Sequence, residues 1–400
     1  GGTMNIANTK VRYYNTTVGT GSALYTTGGT ISYNTWHHVA FVRSSGTTPI
    51  YVDGVVGSSG SDTHNYGAQA VTVGDYGGGA YGYAGYIRDL RLVKGTAVYT
   101  SAFTPPTEAL TAVSGTELLV CHLPYFADGS TNDHTITTNG NVKTLPFGPY
   151  DYSPWLDSDH GGSVFFDGTN DYIVAATDTN FGFGTGDFTI EMWVYSDFEK
   201  SGDYFTTFGY NNQGINHSYD KFRYYHGTLG GSNVMYTTGA TGHKYSWNHV
   251  AVTRESGTTR IFANGKQGAS TTVSHSWPDY AIALGCTEAG TGAFMYDGYI
   301  ADARYVKGTA IYTSNFTPPT APLPHVSNTV LRMNNKSDAN IYDAAAGNVL
   351  VSIDDLYGNG VQSNTTPRKF TTSSSMFFSS DGSYLLVPTT ELLGFGTGDF

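Results

Sequence analysis

An acidic turn at residues 167–171 carries side chains with clear chemical potential in this 400-residue chain. Its sequence, Asp-Gly-Thr-Asn-Asp, brings the side-chain oxygens of Asp167, Asn170 and Asp171 close together along the chain. Hard cations such as Ca²⁺ take oxygen ligands of this kind. Asp and Asn are also common turn formers, and a similar stretch at 379–383 reads Ser-Ser-Asp-Gly-Ser. We predict a Ca²⁺ site at these three residues, with a purely structural turn as the alternative.

Aromatic side chains form a second group of candidates, because an aromatic ring can stack on the apolar face of a sugar. Trp193 and Trp247 lie in strand-like runs, and Trp247 recurs as Trp36, which favours a place in the core. Tyrosines in what read as loops before Trp247 are better ligand candidates. We predict a ligand-binding role for four of them: Tyr210, Tyr219, Tyr224 and Tyr225. Packing or an interface is their alternative role.

Histidine and cysteine give weaker signals. His249 recurs as His38 in a Trp-x-His-Val-Ala pattern, but neither has a His or Cys at metal-ligand spacing. This favours a buried structural histidine over a metal or proton-transfer site. Cys121 and Cys286 occupy unrelated positions of the repeat described below, so we expect two thiols and no disulfide.

Several function classes are disfavoured. The chain has no Gly-x-Ser-x-Gly, no His-Glu-x-x-His and no phosphate-binding Gly loop before a helix. Its net charge is −12 and only 20 residues are Lys or Arg, which argues against a nucleic-acid partner. No apolar run reaches the roughly 18 residues of a membrane span. We therefore expect no enzyme, no nucleic-acid binding and no membrane insertion.

An internal repeat organises the chain. The segment Gly85–Thr107 returns as Gly298–Thr320 with 18 of 23 positions identical. Other pairs share nearly the same offset, including Lys-x-Arg-Tyr-Tyr at 10–14 and 221–225. The repeat is about 212 residues long, which suits a whole β-sandwich domain rather than a solenoid unit.

The phase of this repeat predicts the domain organisation. Residues 1–114 read as the C-terminal part of one repeat, 115–326 as a complete repeat and 327–400 as the N-terminal part of a further repeat. Because a domain cut between its strands exposes unpaired edges, we expect the natural polypeptide to extend in both directions. The alternative is that the two partial copies combine into one fold that another chain completes.

Within the complete repeat, short strand-like runs alternate with turn signals, and no helical period is sustained. Residues 188–195 alternate, with Phe188, Ile190, Met192 and Val194 on one face. Asn264-Gly265 is a strong hairpin turn, and its counterpart is Asp53-Gly54. We expect an all-β protein of tandem two-sheet antiparallel jelly-roll sandwiches.

Five motifs resemble the concanavalin A-like, laminin-G-like jelly roll: residues 166–168, 186–193, 247–251, 263–265 and 298–302. The ending at 304–319 resembles the variant found in structural fibre proteins of marine bacteriophages and in bacterial surface adhesins. Calcium at a sandwich rim is what this resemblance implies. Retaining glucanases on such a fold need two carboxylates about 5 Å apart, whereas the strand at 188–195 offers Glu191 alone.

We predict an extracellular, cell-surface or virion structural protein that attaches to surfaces through many weak glycan contacts. Its expected partners are cell-surface glycans or further copies of itself in a homo-oligomer, fibre or virion. The alternative is a purely structural filament or spacer array with no ligand site of its own.

Overall fold

The computed structural model describes residues 2–15, 18, 23–27, 30–75, 82–145, 149, 163–175, 181–196, 204–210, 213–218, 220–227, 234–239, 241–272, 275–287, 294–333, 351–353, 375–378 and 384–387. At 204–205, 351–353, 375–378 and 384–387 only the backbone is described. The chain forms two compact units. Unit 1 comprises Gly1–Lys143, Phe147–Tyr152 and Thr372–Phe400, and unit 2 comprises Thr144–Pro146 and Ser153–Thr371. The repeat boundaries at 114/115 and 326/327 stay a prediction.

The strands of unit 1 come from both ends of the chain. They are β1 (Thr3–Ala7), β2 (Lys10–Tyr14), β3 (Ala23–Tyr25), β4 (Val39–Phe41), β5 (Thr47–Val52), β6 (Val55–Ser61), β7 (Val71–Val73), β8 (Gly85–Ile87), β9 (Leu90–Val93), β10 (Thr116–Val120), β11 (Thr137–Asn139), β27 (Ser375–Phe378) and β28 (Tyr384–Val387). β12 (Lys143–Leu145) falls across the two ranges. Their orders are β1-β2-β3, β4-β5-β6 and β11-β28-β7, with β9 beside β10 and β8 beside β27.

Among its described residues, unit 2 contains fourteen further strands in two large sheets. They are β13 (Val164–Asp167), β14 (Tyr172–Ala175), β15 (Phe188–Ser196), β16 (Tyr204–Tyr210), β17 (Gln213–Ser218), β18 (Lys221–Tyr225), β19 (Val234–Tyr236), β20 (Trp247–Glu255), β21 (Thr258–Ala263), β22 (Lys266–Thr272), β23 (Ile282–Leu284), β24 (Asp297–Lys307) and β25 (Thr329–Arg332), to which β26 (Val351–Ile353) adds an edge. The β15 sheet has the order β13-β24-β15-β20-β21-β22, with β25 beside β24. The β16 sheet has the order β19-β18-β17-β16-β23-β14-β26.

The core of unit 2 lies between these sheets. Phe188, Ile190, Met192 and Val194 of β15 belong to one buried cluster with residues of the β16 sheet such as Phe222. The alternation predicted for this strand is therefore confirmed. The described residues contain no helix and their strand pairs are antiparallel, which confirms the all-β, two-sheet class. No helix in this part of the chain is long and apolar enough to cross a membrane.

The second face of β15 is buried as well, because a connecting segment at 309–316 covers it. Thr189 accepts a hydrogen bond from the amide of Ile311 at 2.8 Å and donates to the carbonyl of Thr309 at 2.9 Å. Thr253 of β20 donates to the carbonyl of Tyr312 at 2.7 Å. These bonds explain why polar residues stand on the covered face: they satisfy the backbone of an irregular segment.

The turn at Asn264-Gly265 joins β21 to β22, and both residues have positive φ, 49° and 79°. This confirms the predicted hairpin. Gly265 also lies against the backbone of Phe316, whose amide donates to the Gly265 carbonyl at 2.9 Å. A Cβ at this position would stand 1.8 Å from the carbonyl oxygen of Phe316. The hairpin thus anchors the connecting segment, and Gly54 meets Phe103 in the same way in unit 1.

Gly265→Ala is expected to destabilise unit 2 by about 3 kcal/mol, from left-handed backbone strain plus overpacking against a rigid carbonyl. Gly257→Ala is the matched control, because Gly257 has the same φ of 79° and a Cβ there would meet nothing within 4 Å. The control should lower the free energy of unfolding only by the backbone strain, about 1 kcal/mol. Urea unfolding of both variants measures the difference. Equal losses would show that the close approach to Phe316 contributes nothing.

Candidate functional site

Two groups of side chains in unit 2 have a composition suited to function. The first is a buried group on the covered face of the β15 sheet, called here the carboxylate cluster: Glu191, His249, Arg304 and Tyr312. The second is a partly exposed group on the β16 sheet, called here the platform: Arg223, Tyr225 and Tyr236. Both groups have counterparts in unit 1, apart from Glu191, and the carboxylate cluster joins residues far apart in sequence.

The carboxylate cluster is centred on Glu191, whose side chain is fully buried. One carboxylate oxygen, Oε1, accepts hydrogen bonds from Arg304, through Nε at 2.9 Å and through Nη2. The other, Oε2, lies 3.0 Å from Nε2 of His249 and accepts from the Tyr312 hydroxyl at 2.8 Å. Strand pairing fixes these positions, since Glu191 stands opposite Arg304 of β24 and beside residues of β20.

The electrostatics of the cluster favour an ionised carboxylate. Burial by itself raises the pKa of Glu191, but the His249 hydrogen bond and the positive charge of Arg304 outweigh it, so the pKa is lowered overall. Burial, together with the same negative charge, raises the pKa of the Tyr312 hydroxyl and keeps it a donor. Both carboxylate oxygens are therefore engaged inside the protein, an arrangement suited to holding strands and the connecting segment together.

The sequence does not reveal this cluster, although it predicts a buried role for His249. Glu191 stands as a solitary acid in its strand, and its three partners are 58, 113 and 121 residues away along the chain. A usable signal exists: His249, Arg304 and Tyr312 all recur in the repeat, as His38, Arg91 and Tyr99. Both Trp193 and Trp247 are buried, at 0% and 1% exposure, as predicted.

The three described tyrosines among the predicted ligand residues do not share one surface. Tyr210 ends β16, while Tyr224 and Tyr225 lie in β18, so the prediction that they stand in loops is wrong. Tyr210 and Tyr224 are buried against Trp277, because residues at alternate positions of both strands face the core. Tyr225 points to the other face and is half-buried, and Tyr219 lies outside the described residues. A ligand-binding role for these residues stays a prediction.

The platform lies on the outer face of β17, β18 and β19. Arg223 stands opposite Tyr236 in the strand register, and its guanidinium carbon lies 5.5 Å from the ring centre of Tyr225. The Oδ1 of Asn216 accepts from Arg223 through Nε at 3.1 Å and Nη2 at 2.8 Å, which holds the guanidinium in place. Tyr236 is 37% exposed. The result is an ordered cation flanked by two aromatic residues at the surface.

Unit 1 repeats the placement of an arginine between two tyrosines, but Nε of Arg12 makes no hydrogen bond to Asn5, which stands opposite it. Arg12 stands opposite Tyr25, and its guanidinium carbon lies 5.0 Å from the Tyr14 ring and 5.6 Å from the Tyr25 ring. Tyr25 is 49% exposed. The sequence signal for both platforms is the Lys-x-Arg-Tyr-Tyr repeat, in which alternate residues point outward.

The acidic turn is held by its own backbone. Asp171 accepts from the amide of Asp167 at 3.0 Å, and Asp167 accepts from the amide of Thr169 at 2.8 Å. Within the described residues, no group of three His, Cys, Asp or Glu side chains is arranged to hold a metal ion. The oxygens of Asp167, Asn170 and Asp171 have the chemistry that Ca²⁺ requires. Calcium binding there stays a prediction. Both cysteines are buried and neither forms a disulfide, as predicted.

Comparison with known proteins gives the class of this chain. Residues 3–99 and 167–310 match a family profile described as the concanavalin A-like lectin/glucanases superfamily, of the laminin-G type. The match covers more than half of the chain, so the protein belongs to this superfamily. No curated protein sequence matches it.

Solved structures overlap with the chain at low identity. A candidate carbohydrate-binding protein from Bacteroides ovatus is 16% identical, with 48% of this chain and 58% of that chain covered and a TM-score of 0.35. A heptameric SAP-like pentraxin from Limulus polyphemus is 13% identical over 38% and 78%, with a TM-score of 0.28. Domains LG4-5 of the mouse laminin α1 chain are 11% identical over 81% of each chain, with a TM-score of 0.27. The chain thus spans less than two thirds of the Bacteroides protein.

Proposed function

We propose that this protein binds carbohydrate through the platform and its counterpart in unit 1. The observation that carries the proposal is the recurrence of a half-buried arginine between two tyrosines, Arg223 with Tyr225 and Tyr236 in unit 2 and Arg12 with Tyr14 and Tyr25 in unit 1. Tyrosine rings stack on the apolar faces of sugars, and a fixed guanidinium donates several hydrogen bonds to hydroxyl or carboxylate oxygens. Membership of a lectin and glucanase superfamily supports the same ligand class.

The proposal extends to an adhesive role outside the cell or on a virion. Two platforms in one chain, and more in an assembly, turn weak single contacts into firm attachment through effective concentration. Binding rather than hydrolysis is proposed because Glu191 is fully buried and both of its carboxylate oxygens are already bonded within the protein. A retaining glycosidase needs two carboxylates that reach the sugar.

A glycan array probed with the full chain, with and without calcium, tests the proposal and the calcium prediction together. We expect retention on a defined glycan class. A rise in thermal stability with calcium, lost in Asp171→Asn, would support the ion site at 167–171. An array without binding in either condition would contradict the glycan proposal and favour the spacer or filament alternative.

Replacement of the exposed tyrosines locates the binding surface. Tyr236→Ala and Tyr25→Ala should each reduce retention on a multivalent glycan surface by about tenfold or more, because losing one of two linked contacts removes the avidity gain. Tyr33→Ala is the matched control, since Tyr33 is 74% exposed and lies outside both platforms. Surface plasmon resonance on the immobilised glycan measures the effect. Equal binding of all three variants would place the site elsewhere.

A further inference from the structure

Ser32, His37 and Asp53 meet in unit 1, where the segment before β4 lies against the turn between β5 and β6. The Oγ of Ser32 lies 3.0 Å from Nε2 of His37, and Nδ1 of the same ring lies 2.7 Å from Oδ2 of Asp53. A hydroxyl, an imidazole and a carboxylate in this order are the groups that activate a serine as a nucleophile. The fold thus assembles a nucleophile, a base and an orienting carboxylate from two separate segments.

Hydrogen bonding fixes the proton of the imidazole in the position that this chemistry needs. The amide of Ser32 donates to Nε2 of His37 at 3.0 Å. Because a backbone amide can only donate, Nε2 of the neutral ring is an acceptor, and the ring proton stands on Nδ1, facing Asp53. Nε2 therefore has the lone pair that can take a proton from the Ser32 hydroxyl.

Asp53 is itself fixed by the backbone. Its other carboxylate oxygen, Oδ1, accepts from the amide of His38 at 2.9 Å, and the Asp53 amide donates to the His38 carbonyl at 2.8 Å. With one oxygen bonded to the backbone, the other is directed at Nδ1 of His37. A carboxylate in this position keeps the imidazole in one orientation and stabilises the positive charge that forms on it during proton transfer.

Unit 2 has the same frame without the reactive groups. The repeat places other residues at the three positions: His243 for Ser32, Asn248 for His37 and Asn264 for Asp53. Oδ1 of Asn248 accepts from the His243 amide at 3.3 Å and from Nδ2 of Asn264 at 3.1 Å. Oδ1 of Asn264 accepts from the His249 amide at 2.9 Å. Asparagine amides therefore suffice to hold the segment to the turn, and this structural role does not require an imidazole and a carboxylate.

The three side chains of unit 1 are within reach of solvent. Ser32 is exposed, and the side chains of His37 and Asp53 are 15% and 48% exposed. The next residue, Tyr33, is 74% exposed and adds aromatic surface beside the hydroxyl. The corresponding residues of unit 2 are buried. A small molecule in solution can therefore approach the serine of unit 1, and unit 2 provides an internal comparison.

We propose that Ser32 is a nucleophile for acyl transfer from small carboxylic esters, with His37 as general base and Asp53 as the residue that positions the imidazole. The Ser32 Oγ attacks the ester carbonyl carbon while Nε2 of His37 takes the hydroxyl proton. Protonation of Nε2 also releases the Ser32 amide, which can then donate to the oxyanion. The bond from the carbonyl carbon to the alcohol oxygen breaks, and the departing alcohol takes the proton from Nε2. An acyl ester of Ser32 remains.

Water completes the reaction. It attacks the acyl carbon and gives a proton to Nε2 of His37, the bond to Oγ breaks, and the Ser32 oxygen recovers the proton as the carboxylic acid leaves. No oxidant or reductant takes part. This activity is separate from carbohydrate binding by the platform and does not depend on it.

The test incubates the full chain with p-nitrophenyl acetate and locates the acetyl group by peptide mass spectrometry. Ser32 should be acetylated at least about tenfold faster than Ser59, an exposed serine of β6. The rate at Ser32 should fall in acid, because a protonated imidazole accepts no proton. Phenylmethanesulfonyl fluoride should label the same residue, and Ser32→Ala should lose both labels.

His37→Asn and Asp53→Asn give unit 1 the amides that unit 2 has at these positions, so the fold should be retained. Each should slow the acetylation of Ser32 at least about tenfold. The amide of Asn at position 53 would donate to Nδ1 of His37, as Asn264 donates to Asn248. The ring proton would then stand on Nε2, which could no longer accept from the hydroxyl.

Urea unfolding shows whether each variant keeps the stability of the parent chain. Equal acetylation of Ser32 in the parent, His37→Asn and Asp53→Asn chains would overturn the proposal and leave a purely structural contact. Acetylation of Ser32 no faster than that of Ser59, or a parent rate that does not fall in acid, would overturn it as well. These last two measurements use the unaltered chain, so they remain decisive even where a variant folds poorly.

Discussion

Glu191→Ala is expected to lower the free energy of unfolding of unit 2 by about 3–5 kcal/mol. The substitution leaves Arg304, whose side chain is only 3% exposed, without its charge partner in the protein interior. It also removes the acceptor of the Tyr312 hydroxyl and so loosens the connecting segment from the β15 sheet. For a unit of this size the loss corresponds to a drop in Tm of roughly 10 °C, measurable by calorimetry.

Glu255→Ala is the matched control for this prediction. Its carboxylate lies 3.6 Å from Arg260, but the Glu255 side chain is 45% exposed. Solvent screening limits such a pair to about 1 kcal/mol or less. Replacing both Glu191 and Arg304 by Met should recover much of the stability, because no buried charge remains. Similar losses for Glu191→Ala and Glu255→Ala would show that the buried cluster does not stabilise the fold.

Acidification from pH 7 to pH 5 is expected to cost unit 2 about 5 kcal/mol through three buried histidines. Burial lowers the pKa of His217, His226 and His243 to about 4. The neutral His217 ring is well satisfied, because Nε2 donates to the Gly242 carbonyl at 2.9 Å and Nδ1 lies 2.7 Å from the Ser196 hydroxyl.

The direction of this pH dependence follows from proton binding. The unfolded chain binds a proton at each histidine near the ordinary pKa of 6.5, while the folded unit stays neutral until about pH 4. Stability therefore falls as the pH drops from 6.5 towards 4. Glu191 contributes in a lower pH range. Its pKa in the folded unit is lowered, so the stability that it adds is lost only as the pH falls below its ordinary pKa of 4.5.

Urea unfolding at several pH values measures this dependence. His217→Gln should flatten the pH profile by about a third, because one of three titrating histidines is removed. His325→Gln is the control and should leave the profile unchanged, since His325 is exposed. If the stability of His217→Gln depends on pH as that of the parent chain does, the role given to His217 is contradicted.

The local elements of this fold follow closely from the sequence. The alternation at 188–195 predicts a strand buried through Phe188, Ile190, Met192 and Val194, and the structure has it. The pair Asn264-Gly265 predicts a hairpin because both residues tolerate positive φ. These features depend on neighbours in sequence, and so the sequence contains the necessary information.

The placement of the tyrosines could not be predicted in the same way. Tyr224 and Tyr225 are adjacent in sequence, yet one lies in the core against Trp277 and the other faces outward. Which of the two is buried depends on the side of β18 that the opposite sheet covers. The sequence pattern is compatible with a loop as well, so the pattern alone does not identify the strand.

The all-β class, the repeat of about 212 residues and the recurrence of His38, Arg91 and Tyr99 as His249, Arg304 and Tyr312 can all be read from the sequence. The meaning of that recurrence comes from the folded protein. Strand pairing places Glu191 among the three later residues, because register sets which side chains meet across a sheet. Register arises from long-range pairing, and a periodic sequence alone does not specify which strands become neighbours.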